Sequence, residues 1–125
     1  MSSQPESMLS AATEPPSLVH EVEPGPELLD AAAATLRMLA EPTRLHLLWQ
    51  LANGPKTVSE LTAAAGVPRT VASQHLAKLR HSGLVDTRKD GRNVIYSLRD
   101  GHLVRLIRET INHADHQMTG EPTHS

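Results

Sequence analysis

The stretch that decides the fold runs from residue 57 to residue 98 and reads TVSELTAAAGVPRTVASQHLAKLRHSGLVDTRKDGRNVIYSL. Thr57 and Glu60 have the spacing of a capping box, which predicts a short helix over residues 58–65. A second helix is predicted from about Pro68 to Ser82, followed by glycine. Two helices separated by so short a turn are typical of a helix-turn-helix, whose second helix enters the major groove of DNA.

The residues that follow change from helical to alternating periodicity. We predict one strand over residues 84–88 and another over 93–98. Asp90 and Gly91 lie between them and form a strong hairpin signal. A hairpin directly after the second helix of a helix-turn-helix is the arrangement known as a wing.

Three more helices complete the predicted domain. They are expected over residues 27–40, from Pro42 to about Ala52, and over 101–116. The residues expected to face inward are Leu29, Ala32, Leu36 and Leu39 on the first of these helices, and Leu45, Leu48, Trp49 and Ala52 on the second. The predicted fold is mainly α with a β-hairpin, a winged helix-turn-helix in the order α-α-α-α-β-β-α, spanning residues 27–116. Residues 1–26 are rich in Ser, Pro and Glu and are predicted to be disordered, and 117–125 to form a flexible tail.

The net charge of −2 hides an uneven distribution of charge. Residues 1–26 contain four acidic and no basic residues, whereas 68–108 contain nine basic and three acidic residues. A local excess of this kind favours an anionic partner such as double-stranded DNA. The sequence shows no apolar run of membrane-spanning length and no secretion signal. We therefore expect a cytoplasmic protein with no membrane partner.

The second helix of the predicted motif has one apolar and one polar face. Ala72, Leu76 and Leu79 are expected to face the core, which leaves Arg69, Thr70, Ser73 and Gln74 to contact base edges or phosphates. On the wing, the residues predicted to contact DNA are Arg88, Lys89, Arg92 and Asn93. The alternatives are an ordinary exposed helix face and a charged hairpin edge that deters aggregation. His75 is ambiguous, because it can pack at the helix junction.

The last predicted helix contains candidate metal ligands in the pattern D-x-H-(10)-H-x-x-H, formed by Asp100, His102, His113 and His116. His102 and His113 fall on nearly the same helix face but about 16 Å apart along the axis. One ion bound at about 2.0–2.1 Å from each ligand cannot span that distance. A shared ion therefore requires two antiparallel helices from two subunits, which predicts a homodimer with two equivalent sites.

Three imidazoles and one carboxylate suit Zn²⁺, and Co²⁺ nearly as well. The alternative is that Asp100 only caps the helix and that the histidines are polar edge residues. An enzyme is not expected, because there is no HExxH motif and because four protein ligands would leave no open coordination position.

Residues from about 36 to 116 resemble the ArsR/SmtB family of metal-sensing winged-helix repressors. The resemblance is carried by LAEPTRL at 39–45, SQHLAKLR at 73–80, GLV at 83–85, GRNVIYSL at 91–98 and the terminal Asp/His set. It implies a homodimer that binds an inverted-repeat operator without metal and releases it when Zn²⁺ binds between the C-terminal helices. It also implies a hydrogen bond from His113 to a carbonyl near Gly83.

The resemblance also narrows the choice of metal ion that the protein senses. The family's thiolate site has a Cys-Val-Cys pattern, and this chain reads Thr57-Val58-Ser59 instead, which argues against soft-metal sensing. Ni²⁺ remains an alternative, with additional ligands from His20, Glu21 or His124. The alternative function is a winged-helix regulator that responds to a signal other than metal, with the last helices serving only to dimerise.

Overall fold

The computed structural model describes residues 22–120, which excludes residues 1–21 and 121–125. Most of the predicted N-terminal tail, including His20 and Glu21, lies outside the described residues, and so does His124. The described residues divide into two units, one ending at Ala31 and the other beginning at Ala32. In the described part of the first unit, residues 22–25 have no helix or strand and the first helix begins at Pro26.

The described residues form five helices and three strands. The helices are α1 (Pro26–Leu39), α2 (Pro42–Ala52), α3 (Val58–Ala65), α4 (Arg69–His81) and α5 (Gly101–Thr119); the strands are β1 (Lys56–Thr57), β2 (Val85–Asp90) and β3 (Asn93–Leu98). This arrangement confirms the predicted winged helix-turn-helix. The order α-α-β-α-α-β-β-α adds one strand to the prediction. The last helix continues to Thr119, so three residues of the predicted tail are helical.

The corner between α1 and α2 is fixed by side chains of the LAEPTRL motif. Glu41 is the N-cap of α2, and its carboxylate accepts a hydrogen bond from the Arg44 amide at 2.8 Å. Pro42 occupies the first turn, where its missing N–H costs nothing. The Arg44 side chain donates to the carbonyl oxygen of Met38 at 2.9 Å, near the end of α1. The motif therefore caps the termini of both helices that meet at this corner.

Helix α3 begins with the predicted capping box. The Glu60 amide donates to Thr57 Oγ1 at 3.2 Å, and the Thr57 amide donates to the Glu60 carboxylate at 2.8 Å. Gly66 ends the helix with a φ of +68°, a left-handed conformation that glycine adopts without steric cost. The bounds of α3 agree with the sequence prediction.

The strands form a sheet in the order β1-β3-β2, and both pairings are antiparallel. Asp90 pairs with Asn93, so the turn consists of Gly91 and Arg92. The predicted connection, residues 89–92, contains this turn, but β2 continues two residues further than predicted, to Asp90. Gly91 has a φ of +65° and is the first residue of the two-residue loop, a position that favours glycine in tight hairpins.

The core of the second unit is aliphatic. Its largest fully buried side chains are Leu47, Leu48, Leu61, Leu76, Leu79, Val85 and Ile107. On α2 the sequence predicted Leu45 and Trp49 as inward residues, but these are only partly buried and Leu47 is buried instead. On α1 Leu39 is buried, whereas Leu36 is 55% exposed. Part of the apolar stripe expected on α1 therefore remains at the surface of one chain.

Candidate nucleic-acid interface and metal centre

Helix α4 separates its core and solvent faces as the sequence predicted. Ala72, Leu76 and Leu79 have no exposed surface. The candidate DNA-contacting residues Arg69, Thr70, Ser73 and Gln74 are all exposed. Because the three buried residues anchor the helix in the core, its polar face is held rigidly outward.

Ser59 belongs to the same surface and was missed by the sequence analysis. The Arg69 guanidinium donates to Ser59 Oγ at 3.3 Å, which links the start of α4 to the first turn of α3. No local pattern indicates this contact, since the residues are ten positions apart. The hydrogen bond restricts where the Arg69 side chain points.

His75 packs at the junction of helices rather than joining the exposed face. Its side chain is 19% exposed, and its Nε2 lies 3.8 Å from the carboxylate of Glu41, the N-cap of α2. Its Nδ1 is buried with no hydrogen-bond partner among the described residues. We therefore assign His75 to the packing of α4 against the α1–α2 corner.

The wing presents its polar residues at the tip of the hairpin. Arg88, Lys89, Arg92 and Asn93 are exposed, on both strands and in the turn. Basic side chains at this position favour phosphate contacts. The acidic Asp90 is also exposed at the tip, which reduces the local positive charge.

The first pair of candidate metal ligands lies at the start of α5. Asp100 is the N-cap, and its Oδ1 accepts a hydrogen bond from the Leu103 amide at 3.1 Å. The same oxygen lies 3.5 Å from His102 Nδ1, and both side chains are about half exposed. Two ligands on one tetrahedral Zn²⁺ with bonds of about 2.0–2.1 Å are separated by about 3.3 Å. The Asp100–His102 separation is therefore close to that of two ligands of one ion.

The second pair lies further along the same helix. His113 is exposed and His116 is partly buried. A continuous helix separates His102 from His113 by about 16 Å along its axis. Among residues 22–120 of one chain, no group of three or more His, Asp or Glu side chains is arranged to hold a metal ion. The described part of one chain thus supplies two separate pairs of candidate ligands and no complete site.

An open cleft of about 340 Å³ lies between the first ligand pair and the end of α4. It is lined by Thr35, Ser82, Gly83, Leu84, Asp100, His102, Leu103 and Leu106. The hydrogen bond from His113 to a carbonyl near Gly83, which the family resemblance implies, stays a prediction. It is the Asp100–His102 end of α5, rather than the His113 end, that lies beside Gly83 in the same chain.

Comparisons with known proteins agree with this architecture. The model of the bacterial regulatory protein, arsR family, matches residues 41–87. The transcriptional regulator KmtR of Mycobacterium tuberculosis is 43% identical over 88 residues, covering 70% of this chain and 68% of the relative. The chain belongs to the ArsR/SmtB family. It is therefore a transcriptional repressor of the winged-helix type and not an enzyme.

Other ArsR/SmtB relatives cover more of the chain. The SmtB homolog of Synechocystis is 41% identical over 98 residues, covering 76% of this chain and 74% of the relative. The solution structure of apo-NmtR superimposes with a TM-score of 0.64 at 38% identity, covering 78% of this chain and 82% of that one. A homodimeric winged helix-turn-helix DNA-binding domain from Mycobacterium bovis has a TM-score of 0.70 at 29% identity, covering 85% and 100%.

Within residues 22–120, none of the helices combines the length and the apolar character that crossing a bilayer requires.

Proposed function

We propose that this ArsR/SmtB protein is a zinc-responsive repressor that acts as a homodimer in the cytoplasm. Its metal-free dimer binds an inverted-repeat operator, and Zn²⁺ binding between the α5 helices of two subunits releases it. The observation that carries the proposal is the Asp100–His102 pair, 3.5 Å apart at one end of α5. A second potential pair lies about 16 Å further along the helix.

Two subunits complete the coordination when their α5 helices run antiparallel. Asp100 and His102 of one subunit then meet His113 and His116 of the other, and symmetry repeats the arrangement. A two-fold axis makes the two sites equivalent. The homodimeric assembly of the Mycobacterium bovis domain supports the pairing of two subunits. Leu36 of α1, which is 55% exposed, provides apolar surface for a second subunit to cover.

Zinc fits the donor set of the paired helices. Three imidazole nitrogens and one carboxylate oxygen match the ligands and the tetrahedral coordination that Zn²⁺ prefers, and Co²⁺ fits nearly as well. Asp100 can take part while it caps α5, since an ionised carboxylate has two oxygens and about four acceptor positions. Ni²⁺ prefers more ligands, and His20, Glu21 and His124 would have to supply them.

The DNA-binding surface combines α4 and the wing. We assign base-edge contacts to the exposed face formed by Arg69, Thr70, Ser73 and Gln74, and phosphate contacts to Arg88, Lys89, Arg92 and Asn93. Arginine can form two parallel hydrogen bonds to guanine, and Gln74 can do the same with adenine. The hydrogen bond from Arg69 to Ser59 orders the arginine before DNA arrives, which reduces the entropy lost on binding.

Release requires that metal-bound and metal-free dimers differ in operator affinity. Joining the α5 helices fixes the relative orientation of the subunits and hence the spacing of the two α4 helices. A coupling free energy of about 1–3 kcal/mol corresponds to a change in affinity of about 5–150-fold. By linkage, operator DNA must weaken zinc binding by the same factor.

Fluorescence anisotropy with a labelled inverted-repeat operator tests the proposal. We expect Zn²⁺ to weaken operator binding by the wild type, and His102→Ala and His113→Ala to bind the operator without responding to Zn²⁺. His46→Ala is the matched control, because His46 is an exposed histidine on α2 that lies outside the candidate site.

An unchanged zinc response in His102→Ala or His113→Ala would refute the metal assignment. If the wild type contains no tightly bound metal and binds its operator equally with and without Zn²⁺, the alternative function holds. In that case the chain is a winged-helix regulator controlled by a different signal, and Asp100 serves only as the cap that the structure shows.

A further inference from the structure

Arg99 makes contacts with three parts of the fold at once. It lies in the chain between β3 and Asp100, the N-cap of α5. Its guanidinium donates from Nη2 to Asp86 Oδ1 of β2 at 2.7 Å, and the single Nε N–H is shared between Oδ1 and Oδ2 at 3.3 and 3.4 Å. Its amide donates to the carbonyl oxygen of Leu84 at 3.0 Å. The residue beside the first metal-ligand pair is thus bonded to the base of the wing.

The guanidinium also lies against the turn that ends α4. The Gly83 amide donates to the Arg80 carbonyl oxygen and the Leu84 amide to that of Leu79, each at 3.0 Å. Gly83 has a φ of +81°. These features form a Schellman motif with glycine at the left-handed position. A Cβ on Gly83 would lie only 3.3 Å from Arg99 Nη1, so the absence of a side chain permits this close approach.

These contacts join the start of the sensor helix to the end of the DNA-reading helix. Asp100 is one residue from Arg99, and Arg99 contacts both Asp86 and the Gly83 turn. A displacement of the α5 N-terminus must therefore move the end of α4 and the base of β2, or break the hydrogen bonds of Arg99. A planar guanidinium that holds a carboxylate through two of its N–H groups resists such displacement better than a single contact.

We propose that Arg99 is a positioning residue that transmits the state of the Asp100–His102 pair to α4 and the wing. The inference rests on the proposed metal-responsive function and adds a route for its regulation. Arg99 binds neither metal nor DNA in this account. Its side chain and that of Asp86 are each about half exposed, and exposed ion pairs contribute little to stability. Variants of either residue should therefore fold.

The test compares Arg99→Ala, Asp86→Ala and the double variant with wild type. Three quantities are measured: operator affinity without metal, zinc affinity without DNA, and the factor by which Zn²⁺ weakens operator binding. We expect both affinities to change less than about threefold, whereas the zinc-induced factor falls about tenfold, a size within the usual range of allosteric coupling. The zinc-induced factor of the double variant should fall no further than that of either single variant, because all three variants remove the same Arg99–Asp86 contact.

Two further measurements separate positioning from general destabilisation. Arg99→Lys keeps the charge but cannot form the two-pronged contact, so its zinc-induced factor should lie between those of wild type and Arg99→Ala. In metal-free protein, hydrogen exchange at the amides of residues 84 and 99 should be about two- to fivefold faster in Arg99→Ala and Asp86→Ala, as the loss of an exposed ion pair allows. Arg105→Ala, an exposed arginine of α5, should match wild type throughout.

The outcomes distinguish this inference from the proposed function. If Zn²⁺ fails to weaken operator binding by the wild type, both are refuted. If the wild type responds and Arg99→Ala responds equally, only the role of Arg99 is refuted. Unchanged amide exchange at residues 84 and 99 would refute it as well.

Discussion

Asp100 has two roles in this account, and a pair of substitutions separates them. As the N-cap of α5 it accepts a hydrogen bond from the Leu103 amide, and as a candidate ligand it lies 3.5 Å from His102. Asparagine is as good an N-cap as aspartate. Asp100→Asn therefore keeps the cap but removes the negative charge that a metal ion needs, whereas Asp100→Ala removes both.

The two variants should differ in stability and agree in zinc affinity. Asp100→Asn loses the attraction of its charge to the helix N-terminus, about 0.3–1 kcal/mol. It also loses the exposed charge interactions with His102 and Arg99, which contribute little to stability. Asp100→Ala also loses the cap, which adds about 1 kcal/mol. Substituting a residue that hydrogen-bonds to a metal ligand weakens metal binding about 10–100-fold. Loss of the Asp100 ligand itself should therefore weaken zinc binding at least about a hundredfold in both variants.

Urea denaturation in the presence of a chelator measures the stability of each variant, and competition with a chromophoric zinc chelator measures its zinc affinity. Wild-type zinc affinity in Asp100→Asn would show that Asp100 is only a cap, and the proposed ligand set would be wrong.

Three other predictions concern the core, the DNA surface and the wing. Leu76→Ala, at a fully buried position of α4, should lower the free energy of unfolding by about 2–5 kcal/mol in denaturant titrations. Arg69→Ala should lose about 1–3 kcal/mol of binding free energy that discriminates between bases at one base pair of the operator. Lys89→Ala should instead weaken binding to all DNA sequences equally, and the salt dependence of its DNA affinity should fall by about one phosphate contact. Hydrogen bonds from Arg99 lower the pKa of Asp86, so the pair should stabilise the fold above the ordinary aspartate range and lose this contribution as pH falls through the lowered pKa. In an NMR titration the Asp86 midpoint should lie below that of an ordinary aspartate and rise in Arg99→Ala; equal midpoints would contradict this.

Elements specified by neighbouring residues were predictable from the sequence. The capping box of Thr57 and Glu60 defined α3, and the alternating pattern of residues 93–98 defined β3. Gly83 follows the C-cap of α4, as the sequence predicted, and has the left-handed φ that is typical of this position. Each signal acts within a few residues, so no knowledge of distant contacts was needed.

Features that depend on distant contacts were missed. Strand β1 has two residues and exists because it pairs with Tyr96 and Ile95 of β3, about 40 positions later. Burial on α2 follows its packing against other helices, which favours Leu47 over Leu45. The end of β2 was placed two residues too early, because the Asp-Gly signal does not specify which two residues form the loop.

The candidate site shows the same division. The exposure of the polar face of α4 followed from helical periodicity, whereas the contact of Ser59 with Arg69 did not. The contact of Arg99 with Asp86 was indicated only indirectly, by the register of the hairpin. In the observed hairpin register, Val85 pairs with Leu98, so extending the register places Arg99 opposite residue 84 and diagonal to Asp86. Diagonal neighbours on one face of a sheet are within reach of a long side chain. The register, however, depends on which two residues form the turn, and the sequence did not specify them.

The shared metal site is tested most directly by mixing two inactive variants. One carries Asp100→Ala and His102→Ala, and the other carries His113→Ala and His116→Ala. Neither homodimer can form a complete site. A heterodimer contains one site with all four ligands intact and one with none. We therefore expect mixed protein, purified with two different affinity tags, to bind one Zn²⁺ per dimer with near wild-type affinity. Failure of the heterodimer to bind zinc tightly, or tight binding by either homodimer, would contradict a site shared between two subunits.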